Sequence, residues 1–159
     1  MEYEDITKKI IGCSYNVYNS LGFGFYENVY ENAMIIELQK EGMKVQKEIP
    51  IDVFYDNQKV GFFKADLIVN DLIIVELKSV QILLKEFEVQ LVNYLVATKR
   101  DVGLLINFGP TKVEIKRKVK DLKKYSEKKV ESVNSKNNPD NPENNPVNPE
   151  NNPINPVER

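Results

Sequence analysis

The sequence predicts an α/β domain, with a central mixed β-sheet flanked by helices, followed by an Asn/Pro repeat tail that has no core of its own. Three observations carry this. Two helical periodicities precede a run of strand-like segments, and a third separates two further strands. Leu72 to Val75 and Val102 to Phe108 are nearly continuous apolar runs, the signature of strands covered on both faces. From Asn137 the composition changes to a seven-residue Asn/Pro unit.

Ile6, Ile10, Ser14 or Cys13, Val17 and Leu21 recur at helical spacing, which predicts an amphipathic helix from about Tyr3 to Ser20 with Asp5 near its start. Gly22-Phe23-Gly24 breaks it. A second helix is predicted from Tyr26 to Glu41, with Val29, Tyr30, Ala33, Met34, Ile36 and Leu38 as its apolar residues and Gly42 as its stop. Glu27 falls in its first turn, where the positive helix end favours a carboxylate. Val45, Ile49, Ile51, Val53 and Tyr55 alternate with polar residues and Pro50, the pattern of a long edge strand turned by Asp56-Asn57. The next strand begins at Val60 to Phe63 and continues through Asp66 to a turn at Asn70-Asp71. The strand after it runs from Leu72 to Lys78. A helix from about Leu84 to Thr98 sets Phe87, Leu91, Tyr94 and Leu95 on one side. It is long enough for a right-handed crossover, so the strands it joins can be parallel. Gly109-Pro110 ends the Val102 strand, and Lys112 to Lys116 reads as a half-exposed final strand before a lysine-rich helix.

The expected division is a folded domain over 1–130 and a linker and tail over 131–159. Three copies of Asn-Asn-Pro-x-Asn-Pro-x hold six of the eight prolines, and proline at every third or fourth position forbids a helix. Such a tail is expected to be disordered, with extended polyproline character, and either dispensable or used in recognition.

With 159 residues and 42% hydrophobic content, the chain can bury one core but not comfortably two. No stretch has the length of an apolar membrane span and the N-terminus is acidic, so the expected location is the cytoplasm, with no membrane partner. Cys13 is the only cysteine and there is no histidine. That removes internal disulfides, thiolate zinc clusters, Ser-His and Cys-His nucleophiles and nearly all catalytic zinc sites. Carboxylates, lysine, tyrosine and a metal would have to carry any catalysis. Between Lys112 and Val130, nine Lys or Arg stand against three acids. This stretch is either a solvated helix face or a surface that attracts phosphates.

The anomaly lies in Lys64 to Ser79, where a buried-type strand runs straight into Glu76 and Lys78. Burying an unpaired carboxylate or ammonium costs on the order of several kcal/mol, so these groups need partners or an ion. Period-two alternation puts Glu76 and Lys78 on one face. A two-residue loop at Asn70-Asp71 would turn Asp66 away from Glu76. A loop of Asn70 to Leu72 sets Asp66 opposite Glu76 and Lys64 opposite Lys78, and this is the register predicted. Two converging carboxylates then call for a cation, and hard oxygen ligands suit Mg²⁺ or Mn²⁺.

Asp66 followed by Glu76-x-Lys78 resembles the active-site signature of the PD-(D/E)XK nuclease superfamily, whose fold is a restriction-endonuclease-like mixed sheet flanked by helices. Gly24-Phe-Tyr-Glu27-Asn-Val-Tyr30 fits the signature of the GxxExxY proteins, a bacterial and archaeal family assigned to that superfamily. Gln90-Leu-Val-Asn-Tyr94 resembles the Gln-x-x-x-Tyr element that follows the catalytic strand in RecB-type nucleases. The resemblance covers roughly residues 4 to 120. Glu114-Ile-Lys116 repeats the Glu-x-Lys spacing in a charged, half-exposed strand, where both groups can simply be solvated. Some positions depart from the family pattern: Gly22-Phe23-Gly24 replaces Gly-Pro-Gly, Phe87 stands where a histidine is common, and Lys64 replaces an arginine.

The resemblance implies a metal-dependent nuclease that hydrolyses phosphodiester bonds of nucleic acid, with DNA the expected substrate. It implies that Asp66, Glu76, the Leu77 carbonyl and Glu27 hold Mg²⁺ or Mn²⁺, that Lys78 acts on the attacking water, and that Gln90 and Tyr94 position the lysine or the phosphate. A nuclease of this kind that cuts both strands often acts as a homodimer. Two other readings fit the same residues: a catalytically inactive nucleic-acid-binding module, and a small interaction protein in which Asp66, Glu76 and Lys78 form a structural ion-pair cluster.

Overall fold

The computed structural model describes residues 2–120. Its elements are α1 (Glu2–Leu21), α2 (Glu27–Lys40), β1 (Val45–Tyr55), β2 (Gln58–Val69), β3 (Ile73–Lys78), α3 (Lys85–Thr98), β4 (Val102–Phe108) and β5 (Val113–Val119). The strands form one sheet in the order β1-β2-β3-β4-β5. Only β3 and β4 run parallel, joined across α3, so the sheet is mixed as the sequence predicts. Pro50 lies on the edge strand β1, where its missing N–H costs nothing on the solvent side.

Each face of the sheet has its own core. Ile10, Val17, Tyr30, Met34 and Leu38 of α1 and α2 pack on Val69, Ile73, Val75, Leu77, Leu104 and Ile106. Leu91 and Leu95 of α3 pack on Ile51, Ala65, Ile68, Ile74 and Leu105. This two-sided burial explains why β3 and β4 read as unbroken apolar runs. At Gly103 the fit is tight, since an added Cβ would lie 2.8 Å from Leu91 Cδ1.

Paired residues on β2 and β3 are Val69–Ile73, Ile68–Ile74 and Leu67–Val75, the three-residue-loop register. Asn70 and Asp71 adopt positive φ (52° and 59°), and Leu72 N–H closes the turn on Val69 O at 3.0 Å. Beyond Leu67 the β2–β3 ladder stops, so the predicted opposition of Lys64 and Lys78 does not form. Lys64 pairs with Pro50 on β1, and Lys78 pairs with Asn107 on β4.

The split coincides with a reversal of faces. Leu67 packs on the α1/α2 side while Ala65, two residues away, packs on the α3 side. In an undisturbed strand both would share a face. On β1 the ladder steps from Lys47–Leu67 to Ile49–Ala65 around Glu48, whose φ is +51°. Glu48 and Asp66 therefore sit where the β1–β2 hairpin turns over, with the register kept on both sides.

The lysine-rich helix expected directly after Lys116 is corrected in part. Residues 117–119 continue β5, because pairing with β4 holds from Phe108–Val113 through to Val102–Val119. The rest of that expected helix, and the Asn/Pro tail, lie outside the described residues.

Candidate active site

Glu76 is 5% exposed at the end of β3. Where the β2–β3 backbone ladder ends, side chains continue it. Asp66 N–H donates to Glu76 Oε1 at 3.2 Å, and Leu77 N–H donates to Asp66 Oδ2 at 2.8 Å. The exchange takes over where the β2–β3 ladder ends at Leu67–Val75, and the two carboxylates accept from the main-chain N–H groups of Asp66 and Leu77 that lie beyond it. Burial, and then the neighbouring Asp66 charge, push the Glu76 carboxyl up to about 8. Burial also raises Asp66, against the opposing effects of the Leu77 N–H and the Lys78 charge. Among the described residues neither carboxylate has an ion-pair partner within 4 Å.

Lys78 lies two residues beyond Glu76, with its ammonium 4.8 Å from the centroid of the Phe87 ring. Phe87 thus gives the lysine a cation–π partner on α3. Tyr94, on the same helix, is 8% exposed, and its ring stacks on Phe63 at 3.5 Å between centroids. Burial, followed by the charges of Glu76 and Asp66, raises its phenol to about 12, while a hydrogen bond with Gln90 opposes the rise. Tyr94 is therefore a phenol that keeps its proton at neutral pH, close enough to feel the charges of the acidic pair. Gln90 is exposed one helical turn earlier, on a groove also lined by Phe63, Val89 and Asn93.

Glu27 occupies the first turn of α2, and its side chain is exposed. The buried carboxylate of that helix is Glu31, one turn on and 6% exposed, and it feels the charge of Asp66. Burial and then the Asp66 charge raise Glu31 to about 7, with Lys47 opposing from 4.0 Å and Glu48 and Glu27 adding to the rise. Sequence reading missed Glu31. The available signal was its spacing of four from Glu27, which places both on one helix face.

Tyr30 of the same motif is fully buried, stacked on Phe108 with centroids 4.3 Å apart. Its hydroxyl donates to Gly22 O and accepts from Phe25 N–H, which fixes the loop where Gly22 and Gly24 have φ of 68° and 114°. Asn107, fully buried, holds the chain beyond β3: Val80 N–H donates to its Oδ1, and its Nδ2 donates to Val80 O, each at 2.9 Å. The same Nδ2 donates to Glu114 Oε1 at 3.0 Å. Glu114 of the second Glu-x-Lys spacing is thus tied into the fold, whereas Lys116 is exposed.

At the sheet split, the carboxylate of buried Glu76 meets that of half-buried Asp66. Among the described residues, no group of three or more His, Cys, Asp or Glu has the placement to enclose an ion by itself. That fits Mg²⁺ or Mn²⁺ held the way Mg²⁺ usually is, by one or two carboxylates with waters and substrate phosphates completing the shell. It does not fit a closed protein cage.

A mixed sheet with Asp66 facing Glu76 across a split ladder, and Lys78 beyond it, defines a restriction-endonuclease-like core. The pattern of the PD-(D/E)XK nuclease superfamily matches residues 4–118, and the chain belongs to that superfamily. No curated protein matches significantly. Among solved structures, one titled "Crystal structure of SSO0001" is similar at 16% identity and a TM-score of 0.48, over 68% of this chain and 59% of that one. This chain therefore corresponds to somewhat more than half of that structure's length.

Proposed function

We propose that this protein is a divalent-metal-dependent nuclease that hydrolyses phosphodiester bonds of DNA, and that it is one of the GxxExxY proteins. The observation that carries this reading is the Asp66–Glu76 exchange at the split of β2 and β3, with Lys78 two residues beyond Glu76 on the same strand and Tyr94 close enough to feel both carboxylate charges. Asp66, Glu76 and the Leu77 carbonyl would hold Mg²⁺ or Mn²⁺. When bound, the cation neutralises charge on the phosphoryl group and acidifies water.

The chain's own groups do the rest. Lys78, held over Phe87, orients the attacking water and stabilises charge developing on the phosphate. Tyr94 keeps its proton and donates a hydrogen bond, and Gln90 fixes the direction of that hydroxyl. Glu31 adds negative charge behind Asp66 and strengthens the pair's attraction for a cation, with Glu27 at the exposed end of the same helix face. The exposed Lys116 and Arg117 on β5 contact backbone phosphates without reading sequence. A homodimer would bring one such site to each strand of a duplex. Among the described residues, no helix is long and apolar enough to cross a membrane.

The test is cleavage of single-stranded, duplex and branched DNA by the purified full chain, with Mg²⁺, Mn²⁺ or chelator. Glu76→Gln serves as the control because its amide oxygen can still accept the Asp66 N–H. Metal-dependent cutting abolished by Glu76→Gln is the expected result. Tight binding to DNA with no cutting of any substrate would establish the inactive binding module instead.

A further inference from the structure

The connection from α1 to α2 exposes three aromatic rings next to the residue that follows β3. Phe23, Phe25 and Tyr26 are 38%, 47% and 86% exposed. Buried rings stabilise a fold, whereas rings left in water beside a functional cleft are a ready contact surface. The loop is held firmly. Tyr30 ties both Gly22 and Phe25, and Ser79 Oγ donates to Phe25 O at 2.8 Å. Ser79 directly follows Lys78, so the aromatic loop is anchored one residue from the proposed catalytic lysine.

A cavity of about 620 Å³ opens there, lined by Phe23, Phe25, Tyr26, Glu27, Asn28 and Ser79 beside the backbone of Gly24. This volume falls in the range of small-molecule sites. The lining includes no lysine or arginine, and Glu27 would repel a phosphate. It does offer ring faces for stacking, together with a carboxylate, an amide and a hydroxyl that can pair with the edge of a base.

We infer that the α1–α2 loop binds an unpaired nucleobase adjoining the scissile phosphate, so that the substrate is single-stranded DNA or a strand end freed from its partner. A continuous duplex keeps its base faces stacked and cannot offer one to Tyr26, whereas every unpaired base has a face to offer. This inference rests on the nuclease reading for the position of the phosphate. The base site itself can be tested without cleavage.

The experiment measures binding of the full chain, in Ca²⁺, to a labelled single-stranded oligonucleotide and to its duplex, with 2-aminopurine placed along the strand in a parallel probe. Tyr26 suits mutation because its side chain makes no helix-capping bond. We expect the single strand to bind more tightly than the duplex and to quench the 2-aminopurine. Tyr26→Ala should weaken single-strand binding roughly tenfold and remove the quenching, with little change for duplex, and Tyr26→Trp should restore both. Equal single-strand binding by wild type and Tyr26→Ala, preference for duplex, or no binding to either form would each overturn the proposal. Mg²⁺-dependent cleavage separates the two readings. A chain that quenches the probe through Tyr26 but never cuts keeps the base site and loses the nuclease assignment. A chain that cuts, with Tyr26→Ala binding and cutting as wild type, keeps the nuclease assignment and loses the base site.

Discussion

Raising the pH in chelator should destabilise this protein, against the usual behaviour of carboxylates paired with lysine. The folded state holds a proton on Glu76 between the ordinary carboxylate value of 4.5 and about 8, whereas the unfolded chain has already released it. The native state therefore binds more protons throughout that window, so stability falls as pH rises and the loss is complete above about 8. Each unit is worth about 1.4 kcal/mol, which caps the Glu76 contribution at roughly 5 kcal/mol, part of it shared with Asp66. Glu31, raised to about 7, adds a loss of the same sign over the lower part of the window. Glu37 and Glu88, lowered by their lysine partners, act in the opposite sense, but only as the pH falls below the ordinary carboxylate range. For a domain of this size, a net loss of about 3 to 5 kcal/mol lowers Tm by roughly 10 to 20 °C. Differential scanning calorimetry from pH 5 to 9 would read it. Glu76→Gln should remove more than half of the decline, and Mg²⁺ or Mn²⁺ should restore stability at the alkaline end, since a ligand that binds only the native state stabilises it. A flat or rising Tm across the window in chelator would refute the reasoning, as would a Glu76→Gln protein that retains the full slope.

Three further predictions test other parts of the structure. Gly103→Ala drives a Cβ to 2.8 Å from Leu91 Cδ1 and 3.3 Å from Ile74 O, and should cost about 1 to 3 kcal/mol in urea unfolding. Tyr30→Phe keeps the stacking on Phe108 but removes the bond to Gly22 O, and should cost about 1 kcal/mol by the same measurement, with faster amide exchange in the α1–α2 loop. The double variant Lys116→Ala/Arg117→Ala changes two exposed cations, and should lower the slope of log affinity for DNA against log salt by about 2 while leaving Tm nearly unchanged.

The strands and helices were legible because most carry one unambiguous period, and because the two buried strands could belong only to a sheet with helices on both sides. The β2–β3 register was legible for a different reason. A two-residue loop would turn Asp66 away from Glu76, whereas a three-residue loop or a bulge brings them together, so the chemistry of the charges chose a register that local propensity could not. Glu31 was not legible. Its burial depends on how α2 docks against the place where β1 and β2 turn over, and that reversal rests on the backbone of Glu48 and Asp66 rather than on any pattern of residue types. The pairing of Phe87 with Lys78 was not legible, because it joins two elements across the crossover. At β5, lysine content pointed to a helix from residue 117, but the unpaired edge of β4 outweighed local preference as far as Val119.

Because each carboxylate of the pair commits one oxygen to a main-chain amide of the opposite strand, the sheet itself can report on the site. The amides of Asp66 and Leu77 are bonded to the two side chains expected to meet an ion or lose a proton. Their nitrogen and proton chemical shifts should move together during a pH titration or an Mn²⁺-free metal titration, while the neighbouring amides of Leu67 and Val75 stay near their starting positions. Two backbone resonances would then register the charge state of the centre directly, with no substrate, label or turnover.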